Sequence, residues 1–210
     1  MTDAIVYYRS LGGLSYGELA DRWLHRLPYA KRQAVERSAE RSARATLAGI
    51  DLLAHGAIGL GHAPLDASAL VYPERGKPHW PGGPEFSISH TSDLAVCVVA
   101  RDLRLGVDIE IVGRVREEML RRVASAGEVE SYRGREHGPA ALWTRKEAVL
   151  KAAGASIFNA SAVAVRAGDA DFLGQRWYFC GPDMLEGCAF ALACERSGVA
   201  VDLRRATQLA

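Results

Sequence analysis

Two acidic side chains separated by one residue are the first feature of this sequence that could do chemistry. They lie in Leu105-Gly106-Val107-Asp108-Ile109-Glu110, an aliphatic run that predicts a β-strand. Residues i and i+2 of a strand point to the same face, so Asp108 and Glu110 are predicted to project side by side. Adjacent carboxylates repel unless a proton or a cation lies between them, and oxygen ligands suit Mg²⁺ better than zinc. The alternative interpretation is a pair of solvated acids on the wet face of a strand.

A third acid lies on a predicted helix over residues 139–153, between Gly138-Pro139 and Gly154. Glu147 and Lys151 are four residues apart and therefore share one face of that helix. An exposed ion pair of little energetic consequence is one interpretation of this spacing. The other is a partly buried acid that needs a cation, which a metal held by the acidic strand would supply.

A Ser-His pair, Ser89-His90, precedes the acidic strand. Adjacent residues of a strand point to opposite faces, so the two side chains are not a nucleophile and its base. No G-x-x-x-x-G-K-[ST] loop is found, which argues against a P-loop nucleotidase. A hydroxyl and an imidazole next to the loop Arg75-Gly76-Lys77-Pro78 suit phosphate oxygens, whereas a lone histidine is more often a structural hydrogen-bonding group.

Basic residues recur along a predicted helix over residues 31–58, which Gly49 could interrupt. The spacing is compatible with a solvated face paired to Glu36 and Glu40, or with a wall that faces an anion. The basic residues are Lys31, Arg32, Arg37, Arg41 and Arg44.

The bulk composition excludes several classes of protein. The chain has 210 residues, 26 basic and 25 acidic side chains and a formal charge of +1, which argues against a generally basic nucleic-acid binder. No apolar run reaches the roughly 18 residues of a membrane span, and no signal peptide is visible, so a cytoplasmic protein that neither enters a membrane nor binds nucleic acid is expected. The four cysteines form no C-x-x-C pair and lie in apolar runs, so buried, reduced thiols are predicted.

The remaining patterns predict an α+β protein with a helix-rich start and a strand-rich end in each half. Such an order is compatible with two similar α/β subdomains, residues 1–103 and 104–210. Helices are predicted over residues 14–27 and 115–124, and strands over 4–8, 94–100, 162–166, 176–180, 188–194 and 199–203.

The three motifs, in this order, resemble those of the 4′-phosphopantetheinyl transferase superfamily. They are Phe86-Ser87-Ile88-Ser89-His90, Gly106-Val107-Asp108-Ile109-Glu110 and Trp143-Thr144-Arg145-Lys146-Glu147-Ala148-Val149-Leu150-Lys151. The resemblance extends over about residues 31–154. The length resembles that of the Sfp type, which implies a single-chain pseudodimer with its site between the halves, and therefore a monomer.

The resemblance implies an activity and a set of roles. Members move the 4′-phosphopantetheine group from coenzyme A to a serine of an acyl- or peptidyl-carrier protein and release 3′,5′-ADP. Asp108, Glu110 and Glu147 would hold Mg²⁺ against the pyrophosphate. Glu147 would also accept the serine proton, and Lys151 would stabilise the leaving pyrophosphate oxygen.

The same resemblance implies the residues that bind coenzyme A and favours the anion-facing interpretation of the basic helix. Phosphate contacts would come from Ser89, His90 and Thr91, the adenine and 3′-phosphate pocket from Arg75, Gly76, Lys77 and Pro78, and a further 3′-phosphate contact from Arg41.

Some positions depart from the family pattern. Ser87 replaces a common Asn, with little expected consequence, and Ala45 replaces a position that is often basic. The acidic carrier domain is expected on the Arg-rich residues 112–138, which could equally be a solvated segment. The alternative functions are a non-catalytic coenzyme A or nucleotide-binding module and a metal-dependent phosphoesterase.

Overall fold

The computed structural model describes residues 2–74, 76–135 and 137–210. Within these residues the chain forms ten β-strands, six α-helices and three 3₁₀-helices. The strands are β1 (Ala4–Ser10), β2 (Glu85–His90), β3 (Leu94–Ala100), β4 (Leu105–Ile111), β5 (Ala164–Val165), β6 (Asp169–Phe172), β7 (Gln175–Cys180), β8 (Met184–Leu185), β9 (Cys188–Cys194) and β10 (Val201–Arg205). The α-helices are α1 (Tyr16–Trp23), α2 (Tyr29–Glu36), α3 (Glu40–Gly59), α4 (Glu117–Leu120), α5 (Ala126–Tyr132) and α6 (Gly138–Ala153), and the 3₁₀-helices are Leu24–Arg26, Ala67–Ala69 and Ile157–Ala162.

The first sheet has the strand order β10-β1-β3-β2, with β10 parallel to β1 and the other pairs antiparallel. Every residue of β3 is buried, because helix α3 covers one face of this sheet and the second sheet covers the other. A strand buried on both faces needs no alternation of apolar and polar residues, which explains the continuous apolar run of β3.

The second sheet is antiparallel, in the order β4-β9-β7-β6-β5, with β8 also paired to β9. Helix α6 packs across β4 and β9 on the face away from the first sheet. Each half of the chain therefore pairs one sheet with one long helix, which confirms the predicted α+β class.

The last strand crosses between the halves, since β10 pairs with β1 in the first sheet. The predicted division between residues 103 and 104 thus separates the strands of the two sheets except for β10. The division and the internal pseudodimer remain predictions.

The long helix predicted over residues 31–58 is interrupted, but not at Gly49. Helix α2 ends at Glu36, and Ala39 has an extended backbone before α3 begins. Gly49 lies inside α3, where an added Cβ would come within 2.5 Å of the Ile88 side chain on β2. The glycine serves close packing of the helix on the sheet and does not end the helix.

Other boundaries also differ from the predictions. The helix predicted over residues 115–124 is the single turn α4, and α5 follows it. The strand predicted over residues 162–166 is reduced to Ala164–Val165, preceded by a 3₁₀-helix. Among the helices the structure describes, none has the length and apolar character needed to cross a bilayer.

Candidate active site

The acidic strand and helix α6 lie in backbone contact. A Cβ on Gly106 would lie 2.2 Å from the Ala148 carbonyl oxygen and 2.3 Å from the Ala152 amide nitrogen, so only glycine allows this approach. Residues 106, 108 and 110 share the face of β4 toward α6. The glycine therefore lets the helix bring Glu147 and Lys151 to the acids of the strand.

Asp108 forms the centre of a buried polar cluster. Its Oδ1 accepts hydrogen bonds from Lys151 Nζ at 2.7 Å and from Ser89 Oγ at 2.7 Å. The Asp108 residue is 6 % exposed, and Lys151 Nζ also donates to the Val107 carbonyl at 3.2 Å. The side chains of Ser89, Asp108 and Lys151, from three separate motifs, therefore meet in the fold.

Glu147 is half-buried in the same region. Burial, and then the negative charge of Asp108, raise the pKa of Glu147 to about 7, while the Lys151 ammonium acts in the opposite direction. A carboxyl group that titrates near neutral pH can exchange protons with a substrate under physiological conditions.

Glu110 lies beside these groups, but its carboxylate turns back to its own strand. Its Oε1 accepts a hydrogen bond from the Ile111 amide at 2.8 Å and lies 3.8 Å from Arg114 Nη1. Its side chain is 19 % exposed, and Glu110 lines the same cleft as Asp108 and Glu147.

Two adjoining spaces collect most of the predicted site residues. The first is a cleft of about 300 Å³ lined by Ile88, Ser89, His90, Asp108, Ile109, Glu110, Trp143, Glu147 and Lys151. The second is a cavity of about 270 Å³, which shares Ile88, His90 and Lys151 with the cleft. It is also lined by Lys31, Thr46, Ile50, Tyr72, Gly76, Lys77, Pro78, Phe86, Ser87, Gly154 and Ala155.

The boundary between the two spaces is electropositive. The partial burial of His90, followed by the charges of Lys151 and Lys31, lowers the pKa of His90, and Asp108 acts in the opposite direction. Lys31 Nζ lies 5.0 Å from the centroid of the Tyr72 ring, and burial raises the pKa of Tyr72 to about 12. Cations that depress the pKa of a neighbouring imidazole also attract anionic ligands.

Lys77 joins the loop of residues 76–78 to the acidic strand. Its Nζ forms an ion pair with Glu85 and donates to the Leu105 carbonyl at 2.8 Å. Burial lowers the pKa of Lys77, and the Glu85 carboxylate opposes that change. Gly76 and Lys77 also lie against Gly154, the left-handed residue that ends α6.

Two predicted coenzyme A contacts, Arg41 and Thr91, are not among the described residues that line either space. Arg41 is exposed and lies 3.6 Å from Asp93. Thr91 is buried, and its Oγ1 accepts hydrogen bonds from the amides of Asp93 and Leu94, so it stabilises the turn between β2 and β3. Arg75 lies outside the described residues. The roles given to these three residues remain predictions.

Ser87 makes a structural contact with β4 that the family motif did not predict. Its Oγ accepts a hydrogen bond from the Val107 amide at 3.1 Å, as Ser89 Oγ does from Ile109 at 3.4 Å. We call the contacts of Ser87, Ser89, Lys77 and Lys151 with the backbone of β4 the seam. Since Ser87 and Ser89 are two residues apart in a strand, their shared face was a signal in the sequence.

The donor set is suited to a hard cation, because three carboxylates line one cleft. Within residues 2–74, 76–135 and 137–210, no three His, Cys, Asp or Glu side chains are gathered as a metal cluster. Asp108 instead accepts hydrogen bonds from Lys151 and Ser89. Glu110 accepts one from a backbone amide of its own strand. The chemistry of the residues fits Mg²⁺, and its binding would require these carboxylates to exchange partners.

Comparison with known proteins identifies the family. A family model described as the 4′-phosphopantetheinyl transferase superfamily matches residues 104–174. The 4′-phosphopantetheinyl transferase AcpT of Salmonella typhimurium strain LT2 is 31% identical over 156 residues, which cover 70% of this chain and 72% of that protein. AcpT of Salmonella typhi matches with the same identity and coverage.

The chain therefore belongs to the 4′-phosphopantetheinyl transferase superfamily. It is a transferase, of a family that uses coenzyme A as substrate and acts on carrier proteins.

Proposed function

We propose that this protein transfers the 4′-phosphopantetheine group of coenzyme A to a serine hydroxyl of an apo acyl- or peptidyl-carrier protein and releases 3′,5′-ADP. The observation that carries this proposal is the junction of an acidic cleft with a lysine-lined cavity at His90 and Lys151. A phosphate-containing substrate can place its anionic groups at that junction and its adenosine end in the cavity.

The cavity supplies contacts for coenzyme A. Lys31, Lys77 and His90 provide positive charge or hydrogen-bond donors, and Tyr72 provides an aromatic face. Desolvation strengthens the attraction between partly buried lysines and phosphate oxygens. This arrangement supports binding of the 3′-phosphate and adenine in the cavity, with the pyrophosphate directed toward Lys151.

The cleft supplies the groups that the transfer requires. The carrier serine oxygen attacks the phosphorus next to pantetheine, and the bond from that phosphorus to the leaving 3′,5′-ADP oxygen breaks. Glu147 accepts the serine proton, a role for which a pKa of about 7 is suited. The Lys151 ammonium moves from Asp108 to the oxygen of the departing 3′,5′-ADP. There its positive charge compensates the negative charge that develops on that oxygen.

Asp108, Glu110 and Glu147 are the residues proposed to hold Mg²⁺. When bound, the cation would neutralise charge on the pyrophosphate oxygens. A cation held by these carboxylates would neutralise Asp108, and the Lys151 ammonium, now its counter-ion, would then be available to the substrate.

The direct test is incubation of the protein with coenzyme A, Mg²⁺ and a panel of apo carrier proteins, followed by intact-mass measurement of each carrier. Addition of the phosphopantetheine mass and release of 3′,5′-ADP are expected. Asp108→Asn should abolish the adduct, whereas Asp21→Asn, on the exposed surface of α1, should retain it. Coenzyme A binding without any adduct would instead identify a binding module, and 3′,5′-ADP release without a modified carrier would identify a phosphoesterase.

A further inference from the structure

Two cysteine side chains face each other in the second sheet, on the face that packs toward the first. In the register of β7 and β9, Tyr178 lies opposite Cys194 and Cys180 lies opposite Leu192. Cys180 and Cys194 are therefore diagonal neighbours on one face. Their sulfur atoms are 3.1 Å apart, about 1 Å more than a disulfide bond requires.

The two thiols have unequal environments. Cys180 is partly exposed, while Cys194 is fully buried. The hydrogen bond with Cys194 lowers the pKa of the Cys180 thiol, whereas the same hydrogen bond and burial raise the pKa of Cys194. A partly exposed thiol with a lowered pKa, in contact with a buried thiol, is the arrangement of an attacking sulfur and a resolving sulfur.

We propose that Cys180 and Cys194 form a thiol–disulfide site that low-molecular-weight disulfides, such as oxidised glutathione, convert to an intramolecular disulfide. The Cys180 thiolate attacks one sulfur of oxidised glutathione, whose S–S bond breaks, and one glutathione thiolate leaves. Cys194 then loses its proton and attacks the Cys180 sulfur, which releases the second glutathione thiolate. Two protein thiols are oxidised, one glutathione disulfide is reduced, and the leaving thiolates take up the protons.

The other cysteines provide an internal comparison. Cys97 is fully buried, and burial raises its pKa. Cys188 is also buried, with a pKa raised by burial. Among the described residues, the hydrogen bond between two sulfur atoms is that of Cys180 and Cys194, so Cys97 and Cys188 should remain thiols under the conditions that oxidise the pair.

The cysteine pair lies next to the seam, but no seam side chain takes part in the proposed oxidation. Cys194 is the register partner of Leu105, whose carbonyl accepts the hydrogen bond from Lys77. The proposed oxidation is independent of the proposed transferase mechanism.

The experiment uses the folded wild-type protein, equilibrated with mixtures of oxidised and reduced glutathione. Remaining thiols are then blocked with N-ethylmaleimide under denaturing conditions, and the protein is digested without reduction. We expect a cross-linked peptide pair containing Cys180 and Cys194, with two hydrogens lost, and N-ethylmaleimide on Cys97 and Cys188. Reduction should restore four labelled cysteines.

Variants distinguish this site from nonspecific oxidation. Cys180→Ser should abolish the cross-link, and Cys188→Ser should leave it unchanged, with circular dichroism confirming that each variant is folded. Four labelled thiols at the most oxidising ratio, a Cys180–glutathione adduct that Cys194 does not resolve, or a cross-link involving Cys97 or Cys188 would overturn the proposal.

Discussion

Glu147 connects the burial of the cleft to the proposed chemistry. Its pKa is raised to about 7 by desolvation and by Asp108, so protonation removes its ability to act as a base below that pH. The rate should therefore increase with pH, because the active form of Glu147 is the carboxylate. In the free enzyme, kcat/KM should rise with pH as the carboxylate forms, and Mg²⁺ bound to the same carboxylate should shift this rise to lower pH.

Removal of the carboxylate should lower the rate and remove its dependence on pH. Glu147→Gln should lower kcat by about 10²- to 10⁴-fold, the usual contribution of a general base. Rates of carrier modification between pH 5.5 and 9 provide the measurement, with Glu36→Gln on the exposed end of α2 as a control. A variant that keeps the wild-type pH profile would assign the titration to another group.

The Ser89 hydroxyl has partners within the protein, while its contact with a coenzyme A phosphate remains a prediction. The hydroxyl donates to Asp108 and accepts from the Ile109 amide, so its proton is already used within the protein. Ser89→Ala leaves two buried polar groups without this partner, and the free energy of unfolding should fall by about 1–3 kcal/mol. Urea denaturation measures the change.

The matched control is Ser42→Ala, at an exposed position in the first turn of α3, where a change within about 0.5 kcal/mol is expected. Equal stability of the two variants would show that the Ser89 hydroxyl is not needed by the seam and is free for substrate.

At the scale of elements, the close contact of β4 with α6 brings Glu147 and Lys151 to the acidic side chains of β4. Gly106→Ala places a methyl group against backbone atoms that cannot rotate away, at 2.2 and 2.3 Å. The helix must shift, which should cost about 1–3 kcal/mol of stability and lower the transfer rate of the folded enzyme.

Gly127→Ala is the matched control, since nothing lies within 4 Å of an added Cβ at that position in α5. Alanine favours a helix over glycine, so the control should be neutral or more stable by up to about 1 kcal/mol. Thermal denaturation and carrier-modification rates of both variants test the prediction, and wild-type behaviour of Gly106→Ala would contradict the close packing.

The sequence predicts these elements well where a pattern is local. The strand of residues 94–100 and the helix of residues 139–153 match β3 and α6 within one residue, because an apolar run and terminal glycines mark them. The short strands β6 and β8 were missed, since two to four residues carry little periodicity. The path of β10 was also not predictable, because pairing between distant segments leaves no local signal.

For the candidate site, too, the sequence predicted what local motifs determine and missed contacts between distant segments. The motifs predicted one site to which Ser89, Asp108 and Lys151 all contribute, and in the structure these side chains share hydrogen bonds. They did not reveal that Thr91 supports a turn or that Ser87 binds the backbone of β4. Those contacts depend on how two strands from different sheets meet, which the chemistry of the motif alone does not specify.

At the scale of the whole molecule, the two sheets share one core. Ala4, Val6, Val96 and Val98 of the first sheet belong to the same cluster as Phe190 and Leu192 of the second. A substitution in one sheet should therefore destabilise both. Phe190→Ala, at a site 2 % exposed, should lower the free energy of unfolding by about 3–5 kcal/mol in both halves.

Native-state hydrogen exchange of peptides from β1 and β7 measures this shared loss. Phe158→Ala provides the comparison, since Phe158 is 92 % exposed and its truncation should change stability by less than about 0.5 kcal/mol. Loss of protection in β7 with unchanged protection in β1 would mean that the halves unfold independently.

The pairing of β10 with β1 has a consequence for biosynthesis. The first sheet takes one of its four strands from residues 201–205, so it cannot be complete while that segment is still within the ribosome. Folding of a nascent chain usually proceeds from the N-terminus in whole domains. One edge of β1 therefore stays unpaired until residues 201–205 have emerged, and during that interval it is open to pairing with another chain or to binding by a chaperone.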